Sequence, residues 1–322
     1  LNTTASYNTA VGYKSLEDNT TGANNTALGY IALNSNTTGH TGVAVGDSAL
    51  TTNTTGESNT AIGYNALEFN TTASLGTGVG YKALEANTTG TENTALGSLA
   101  LKTNTTGGVN VAIGSQALEA NTTGSYSVAL GYQALEDNTT GNGNIAIGYS
   151  ALSTATGGTG PSYAIAIGFE SQKVINTGVQ NVSVGYRTMH NATTASRNTI
   201  IGYSAGYALT EGTDNVAVGY EALKTATDAG HYNTAIGRGA CELLTTGDYN
   251  VAVGAFAAGS STTGSSNTTV GYSAFNANTT GSDNVSIGRL ALASNTTASY
   301  NTAVGYEALV ANTTASYNPA LG

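Results

Sequence analysis

One glycine recurs at a fixed interval through almost the whole chain. Starting at Gly12, the marker glycine returns at positions 29, 46, 63 and 80, and sixteen of the eighteen successive intervals keep this 17-residue spacing. The two longer intervals run from Gly148 to Gly168 and from Gly219 to Gly237. The consensus around the marker is N-T-A-V-G-Y-x-A-L-x-x-N-T-T-G-x-x. Such a period is typical of a solenoid, in which each repeat packs mainly against its neighbours. We therefore predict an all-β parallel β-solenoid, or β-roll, of about nineteen 17-residue coils.

The regularity of the repeat varies along the chain. Residues 1–148 and 266–322 keep the regular unit, whereas residues 149–265 carry degenerate repeats with a looped-out turn near 153–161. Most of the histidines and many of the charged residues lie in the degenerate part. Insertions in repeat arrays are often binding surfaces, although sequence drift is the simpler explanation. We predict that all three parts belong to one continuous solenoid.

Composition and charge argue against several classes of protein. The 43 glycines do not follow a three-residue period, which excludes collagen, and 9% charged residues is low for a disordered chain. A net charge of −10 with only 9 basic residues disfavours nucleic acid and anionic lipid as partners. No apolar run approaches the roughly 20 residues that a membrane helix needs, so we expect no membrane insertion by this segment. Because the chain opens within a repeat at Leu1 and stops on Gly322, it reads as a processed chain or as part of a longer repeat protein.

The strand before each marker glycine has two different faces. The residue directly before the marker is always Val, Leu or Ile, and the residue three before it is Thr, Val or Ile until Pro319. Side chains alternate along a strand, so these positions share one face, which we expect to pack in the core. The opposite face carries Ala10, Ala27 and their equivalents together with the marker glycines. We expect that small, smooth face to point outward and to be covered by another strand of the same coil or by another chain, and we favour a homo-oligomer along the whole length.

The second half of each repeat contains an Ala-Leu step and an aromatic corner. We expect the leucine to fill a core layer from a second short strand, and the following N-T-T-G to form a turn. A tyrosine commonly follows the marker, and stacking of coils would align these rings as an aromatic ladder that stiffens the structure. A sugar-binding strip is the alternative. The ladder residues are Tyr13, Tyr30, Tyr64, Tyr81, Tyr132, Tyr149, Tyr186, Tyr203, Tyr220, Tyr272 and Tyr306.

The asparagines of the N-T-T turns also occupy one phase. N-x-T is the acceptor pattern for N-glycosylation and would place a row of glycans along one edge. The interpretation we favour is an amide ladder that satisfies turn backbone and neighbouring coils. An ice-binding threonine surface is disfavoured, because Thr20 and Thr21 are adjacent and point to opposite sides of a strand. The candidate acceptors are Asn2, Asn19, Asn36, Asn53, Asn70, Asn87, Asn104, Asn121, Asn138, Asn278, Asn295 and Asn312.

The sequence offers little that indicates catalysis. Glutamates recur at one phase, and neighbours such as Glu119 and Glu136 could hold a cation or exchange protons. Other polar residues fill the same phase elsewhere, which indicates a solvated edge. The three histidines are scattered, and no metal-ligand or phosphate-loop spacing occurs. We expect no enzyme activity, no cofactor and no metal site. The single cysteine, Cys241, is expected to be a small buried residue.

Three segments carry a family resemblance. Residues 110–114 (N-V-A-I-G), 144–148 (N-I-A-I-G) and 215–219 (N-V-A-V-G) resemble the head repeat of trimeric autotransporter adhesins, the YadA-like head, and the motif recurs over nearly the whole chain. That resemblance implies a parallel β-roll with three chains around one axis, displayed at a cell surface to bind matrix or host. The N-T-A-V-G-Y-x-A-L unit is also similar to repeats of aquatic phage tail-fibre-like proteins and bacterial surface fibre proteins. The unit here is longer than the adhesin repeat, with an added tyrosine corner and N-T-T-G turn.

These observations together favour a structural extracellular or virion fibre for display and attachment, either an adhesin head or a tail-fibre shaft. The expected partner is the chain itself, as a trimer or a longer filament, with the number three taken from the resemblance. A host surface or glycan receptor would be the second partner, and nucleic acid is not expected. The alternative function is a glycan-bearing or carbohydrate-binding surface filament module.

Overall fold

The computed structural model describes residues 4–154, 160–227 and 230–322. Within these ranges the chain forms nineteen parallel three-residue strands and no helix, so the prediction of an all-β parallel solenoid of about nineteen 17-residue coils is confirmed. The described residues contain no helix that is long and apolar enough to cross a bilayer. The chain divides into two compact units, Leu1–Tyr163 and Ala164–Gly322.

The first unit stacks nine parallel strands in a strict register. Each strand residue pairs with its equivalent in the next repeat, as Ala44 does with Ala61. Residues 155–159 of the looped-out turn predicted near 153–161 lie outside the described residues. The strands are β1 (Thr9–Val11), β2 (Thr26–Leu28), β3 (Val43–Val45), β4 (Thr60–Ile62), β5 (Thr77–Val79), β6 (Thr94–Leu96), β7 (Val111–Ile113), β8 (Val128–Leu130) and β9 (Ile145–Ile147).

The second unit repeats the same arrangement with ten strands. Each strand residue again pairs with its equivalent in the next repeat, including Ala217 with Ala235, although the chain carries one extra residue between these two. The strands are β10 (Ile165–Ile167), β11 (Val182–Val184), β12 (Thr199–Ile201), β13 (Val216–Val218), β14 (Thr234–Ile236), β15 (Val251–Val253), β16 (Thr268–Val270), β17 (Val285–Ile287), β18 (Thr302–Val304) and β19 (Pro319–Leu321).

The interior and exterior faces of the strands are the reverse of those predicted. Ala27, Ala32 and Leu33 are at most 1% exposed and form the interior of their coil, and the same three positions are buried in most of the other regular coils. Leu28, on the face predicted to pack inside, is 47% exposed. The physical reason is the width of the coil: the leucine already fills most of the space between its two walls, so a small residue, alanine in most coils, fits opposite it. The Ala face therefore cannot be a seam between chains.

One coil of the second unit shows that interior volume decides the choice of residue. There the strand position that is normally alanine is Ile200, which is fully buried, and the position that is normally leucine is Gly206. A Cβ added at Gly206 would lie 3.2 Å from Ile200 Cγ2. The bulky side chain has changed walls while the total volume differs by only about one methyl group, as close-packed interiors require.

The predicted second strand at the Ala-Leu step does not form. In its place the chain makes turns, with left-handed backbone conformations at three positions of most coils. In the second and third coils these include Asn24 (φ 60°), Ile31 (φ 48°) and Leu33 (φ 52°). A left-handed residue breaks the extended backbone of a strand, and it costs an L-residue about 1–2 kcal/mol. The predicted core role of the leucine is nevertheless confirmed, because the leucine side chain points inward.

The marker glycine is fixed by both its backbone and its neighbour. Gly63 has φ +133°, a region that side chains rarely tolerate. A Cβ at Gly63 would lie 2.5 Å from the carbonyl oxygen of Gly80 on the next coil. The recurrence of glycine once per repeat therefore follows from close backbone approach between successive coils.

The left-handed positions generate a stability prediction at Val109 (φ 59°), where a β-branched residue occupies the position that Asn24 fills in another coil. Asparagine adopts this conformation with far less strain than valine. Val109→Asn should raise the free energy of unfolding by about 1 kcal/mol in denaturant titration. Val109→Thr keeps the branched Cβ and should give no gain; equal stability of the two variants would contradict the strain argument.

Candidate functional site

The predicted glycan acceptors of the first unit form a buried amide ladder. Asn19, Asn36, Asn53 and the following five acceptors are at most 2% exposed. From Asn36 onward, each Nδ2 donates to Oδ1 of the asparagine one coil earlier, at 2.7–3.2 Å, and to the carbonyl oxygen three residues further along its own chain. The ladder hence satisfies the turn backbone and the neighbouring amides together, as the favoured interpretation of the sequence required.

The same position is apolar in part of the second unit. Ile175, Leu209 and Leu244 occupy it there, each at most 1% exposed, and the asparagine row resumes at the buried Asn278 and Asn295. Asn312 is half-buried, and Asn2 lies outside the described residues. An amide ladder and an apolar column are therefore alternative fillings of one interior space, since replacing all hydrogen-bonding partners together leaves none unsatisfied.

A second ladder of buried amides was not predicted from the sequence. The asparagine four residues before the marker is also buried, and Asn25 Oδ1 accepts from the backbone N–H of Gly42 at 2.7 Å. In the second unit Asn215 Nδ2 donates both to Asn198 Oδ1 at 3.1 Å and to Gly230 O at 2.7 Å. The recurring N of the N-T-A-V-G motif was the available signal, because a polar residue of fixed identity beside a strand commonly satisfies backbone groups.

The tyrosines after the marker stack in pairs in the first unit. Ring centroids are 5.3 Å apart for Tyr13 and Tyr30, 5.6 Å for Tyr64 and Tyr81, and 5.3 Å for Tyr132 and Tyr149. Asp47, Ser98 and Ser115 interrupt the column between these pairs.

The second unit contains a longer stack in the same column. Phe169, Tyr186, Tyr203 and Tyr220 follow one another at 5.0–5.3 Å with interplanar angles of 6–10°. Tyr272 meets Phe256 edge-on, and Tyr306 lies beside the guanidinium of Arg289. Nearly parallel rings turn their faces to the neighbouring coils and their edges to solvent, so the faces that a sugar would stack on are occupied within the run.

A second aromatic column, which the sequence analysis did not single out, lies five residues before the marker. Tyr232 and Tyr249 stack at 5.0 Å, and Tyr300 and Tyr317 stack at 4.9 Å. All four rings are at least half exposed. The recurring S-Y-N of the last repeats was the only signal for this column. Together the two aromatic columns border the outward side of the strands.

Between the two aromatic columns lies the outward side of the strands, here called the strand face: the positions one and three residues before each marker. In the first unit its side chains include Ile62 (40% exposed), Leu96 (47%) and Ile113 (37%). Strands about 4.8 Å apart give nine strands a length of roughly 38 Å, and the five residues from three before the marker to one after it span roughly 13 Å, an area of about 500 Å² per unit. The column directly before the marker is apolar throughout, whereas threonine fills several positions of the other column. A row of exposed apolar side chains of this length commonly marks an interaction site.

The candidate carboxylate pair lies in a shallow hollow of the first unit. The hollow of about 350 Å³ is lined by Glu119, Glu136 and Asp137 together with Gln116 and Thr103. Burial raises the pKa of the Glu136 and Asp137 carboxyls. Gln133 Nε2 donates to Glu136 at 2.9 Å, so that carboxylate is already partnered. Among the described residues no three His, Cys, Asp or Glu side chains are placed to hold a metal ion.

Several ionic side chains of the degenerate part pair with one another from coil to coil. Arg197 binds Asp214 through two hydrogen bonds of 2.8 Å. Glu170 accepts from Lys173 at 2.6 Å and from Arg187 at 2.7 Å. Burial alone would raise the pKa of Glu170, but the hydrogen bonds from Lys173 and Arg187 outweigh it and hold the pKa below its ordinary value. These pairs occupy several of the charges that a binding site at residues 149–265 would use.

The predicted role of the single cysteine is confirmed. Cys241 is fully buried in place of the core leucine, and burial raises the pKa of its thiol to about 12. A thiol of this kind does not ionise at neutral pH and is a packing residue.

The ladder generates a prediction at Asn87. Its side chain donates to Asn70 Oδ1 and Gly90 O at 3.0 Å and accepts from Asn104 Nδ2 at 2.8 Å. Asn87→Leu would leave three buried groups unsatisfied and should lower the free energy of unfolding by about 3 kcal/mol in denaturant titration. Thr89→Ala, at an exposed position two residues later, should change it by less than about 0.5 kcal/mol. A stable Asn87→Leu variant would show that the ladder contributes little.

Burial also bears on glycosylation, which stays a prediction of the sequence. An asparagine whose amide is buried and bonded in the folded chain is not presented to a transferase. The folded chain, incubated with an N-glycosyltransferase and its sugar donor, should therefore keep the mass of its sequence, 32.1 kDa, by intact mass spectrometry. A hexose-bearing mass series that shifts on Asn121→Gln would contradict this expectation.

No family model matches the chain, and no curated protein matches it.

Proposed function

We propose that the chain is the solenoid segment of a homo-oligomeric extracellular fibre, displayed on a cell surface or a virion and used for attachment. The observation that carries the proposal is the strand face. Its column before the marker is Val, Leu or Ile in every coil, and the described side chains of that column are half-buried or exposed. A solvated outer face would be expected to carry polar residues at these positions.

A second copy of the same chain is the partner that matches this face. Apolar side chains repeat along it with the spacing of parallel strands, about 4.8 Å. Another strand face has the same spacing and so meets every rung in register, whereas a surface without that period would meet only some of them. Each unit offers about 500 Å², more than half of the roughly 800 Å² per partner of a standard stable interface.

Three copies around one axis is the assembly that the resemblance to adhesin head repeats favours. The seam then uses the strand face and its tyrosine borders, while the Asn-Thr-Thr turns stay outside. Side chains on the outer turns vary from coil to coil, and the second threonine of the regular turns is exposed, as at Thr55 and Thr89. Weak contacts to a host surface or glycan, repeated on several coils of several chains, would add up to firm attachment.

Lysines on the strand face test the proposal. Ile62, Leu96 and Leu130 belong to one column of the first unit and point outward. Light scattering of the parent chain should give three times 32.1 kDa, and the triple variant Ile62→Lys, Leu96→Lys, Leu130→Lys should fall towards 32.1 kDa. Burying unpaired ammonium groups in the seam is strongly unfavourable, which is the reason for the expected dissociation.

The matched control places the same charges on the outer turns. Thr55→Lys, Thr89→Lys and Thr123→Lys lie on exposed positions of the same unit and should leave the mass unchanged. A parent chain that is monomeric at micromolar concentration would overturn the homo-oligomer. Dissociation of both lysine variants alike would instead indicate a charge effect unrelated to the strand face.

A further inference from the structure

The regular coils are interchangeable in their interiors. Nearly all bury the same two alanines and one leucine, and each continues the same amide ladders with partners 17 residues away. A chain that skipped one coil would place Leu67 on Leu101 in place of Leu84 and would restore every type of contact. The single repeat left outside as a loop costs little more than a shorter loop would, because closure entropy grows only slowly with length.

One pair of adjacent coils in the second unit differs from this pattern. Ser171 and Gln172 replace the core alanine and leucine of one coil, and Ser183 and Thr188 replace two core alanines of the next. All four side chains are fully buried. These four residues are here called the polar step.

Hydrogen bonds connect the four side chains of the polar step across the two coils. Gln172 Nε2 donates to Ile165 O at 3.0 Å and to Ser183 Oγ at 2.9 Å. The Ser183 hydroxyl then pairs with Ser171 Oγ, Ser171 with Thr188 Oγ1 at 2.8 Å, and Thr188 donates to Gly185 O at 3.3 Å. Each of the three hydroxyl groups can donate its single proton to one neighbour and accept a hydrogen bond from another, so all three are satisfied.

We infer that the polar step fixes the register in which the coils of the second unit stack. If the coil of Gln172 stacked one coil too far, Ser171 and Gln172 would face Ile200 and Ala205, which offer no side-chain hydrogen bond. The Ser171 hydroxyl would then lose its side-chain partners, and the Gln172 amide would keep only its bond to Ile165 O, because Ser183 and Thr188 would lie in the looped-out coil. A skip among regular coils leaves no buried side-chain polar group without a partner in this way. A polar group in an apolar interior that specifies register at some cost in stability is a known use of such residues.

The cost in stability is visible at Gln172. Its Oε1 atom is buried and has no hydrogen-bond partner among the described residues. The polar step is therefore not a device for maximal stability, and replacing it with the regular residues should not weaken the fold. This inference concerns a single chain and is independent of whether the chain assembles into a fibre.

Pulsed hydrogen exchange after rapid refolding of the full chain tests the inference. A skipped coil leaves one whole repeat without backbone partners, so slipped molecules appear as a second, fast-exchanging envelope in the peptides that cover that coil. In the parent, this envelope should be at least tenfold rarer over residues 165–198 than over the regular residues 43–113. A tenfold difference in the population of slipped molecules corresponds to about 1.4 kcal/mol, which is well below the free-energy penalty expected for burying polar groups without hydrogen-bond partners.

The variant Ser171→Ala, Gln172→Leu, Ser183→Ala, Thr188→Ala gives this stretch a regular interior. The slipped envelope over residues 165–198 should then rise at least tenfold, to the level of the regular coils, while resistance to denaturant is kept. The control Thr177→Ala, Thr194→Ala changes exposed residues of the same two coils and should leave the envelope at the parent level.

Two results would overturn the inference. One is equal slippage over residues 165–198 and 43–113 in the parent, which requires no variant to fold. The other is the absence of slipped molecules in both the parent and the folded apolar variant, since a register that never slips needs no polar step.

Discussion

The narrow interior of the coil is the constraint on which the rest of the structure depends. In most coils it holds one large side chain and two alanines, and the exchange of bulk between Ile200 and Gly206 shows that the interior volume is nearly conserved when the positions are not. In these coils a second large side chain must point outward. The β-branched and leucine side chains beside the marker are therefore on the surface because the interior is already full, and the exposed apolar strand face is a consequence of core packing.

The sequence predicted the fold class and the register through the glycine period, because a fixed 17-residue period is typical of coils that stack with like residues in register. It also identified the core leucine and the buried Cys241. It assigned the two strand faces wrongly: Val11 and Ala10 were placed by the general rule that larger apolar residues lie inside, and that rule ignores the width of the coil. The prediction of a second strand at Ala32 and Leu33 was also wrong, because the residue types of this segment do not indicate that non-glycine residues adopt left-handed conformations.

The sequence predicted which candidate site residues align in columns, but it did not predict whether their side chains point into the coil or out to solvent. The phase of Asn87 or Tyr203 follows from counting, whereas the direction of the side chain depends on the local path of the turn. Asn87 proved to lie inside, with its amide fully bonded, and Tyr203 outside, with both ring faces covered by its neighbours in the stack. The second aromatic column was missed because its phase is shared with residues as different as Glu92 and Val109.

The close approach of successive marker glycines has a consequence for inheritance. Because the space beside Gly63 is filled by the glycine of the adjoining coil, and each interior repeats the last, a gene rearrangement that adds or removes one whole repeat shifts later coils by a single rung without disturbing their packing. A shorter insertion adds no rung: the one extra residue between Gly219 and Gly237 leaves the strands paired in register. The length of each unit can therefore differ between related genes only by whole coils. The backbone spacing between coils thus sets the increments in which such a chain can span a distance.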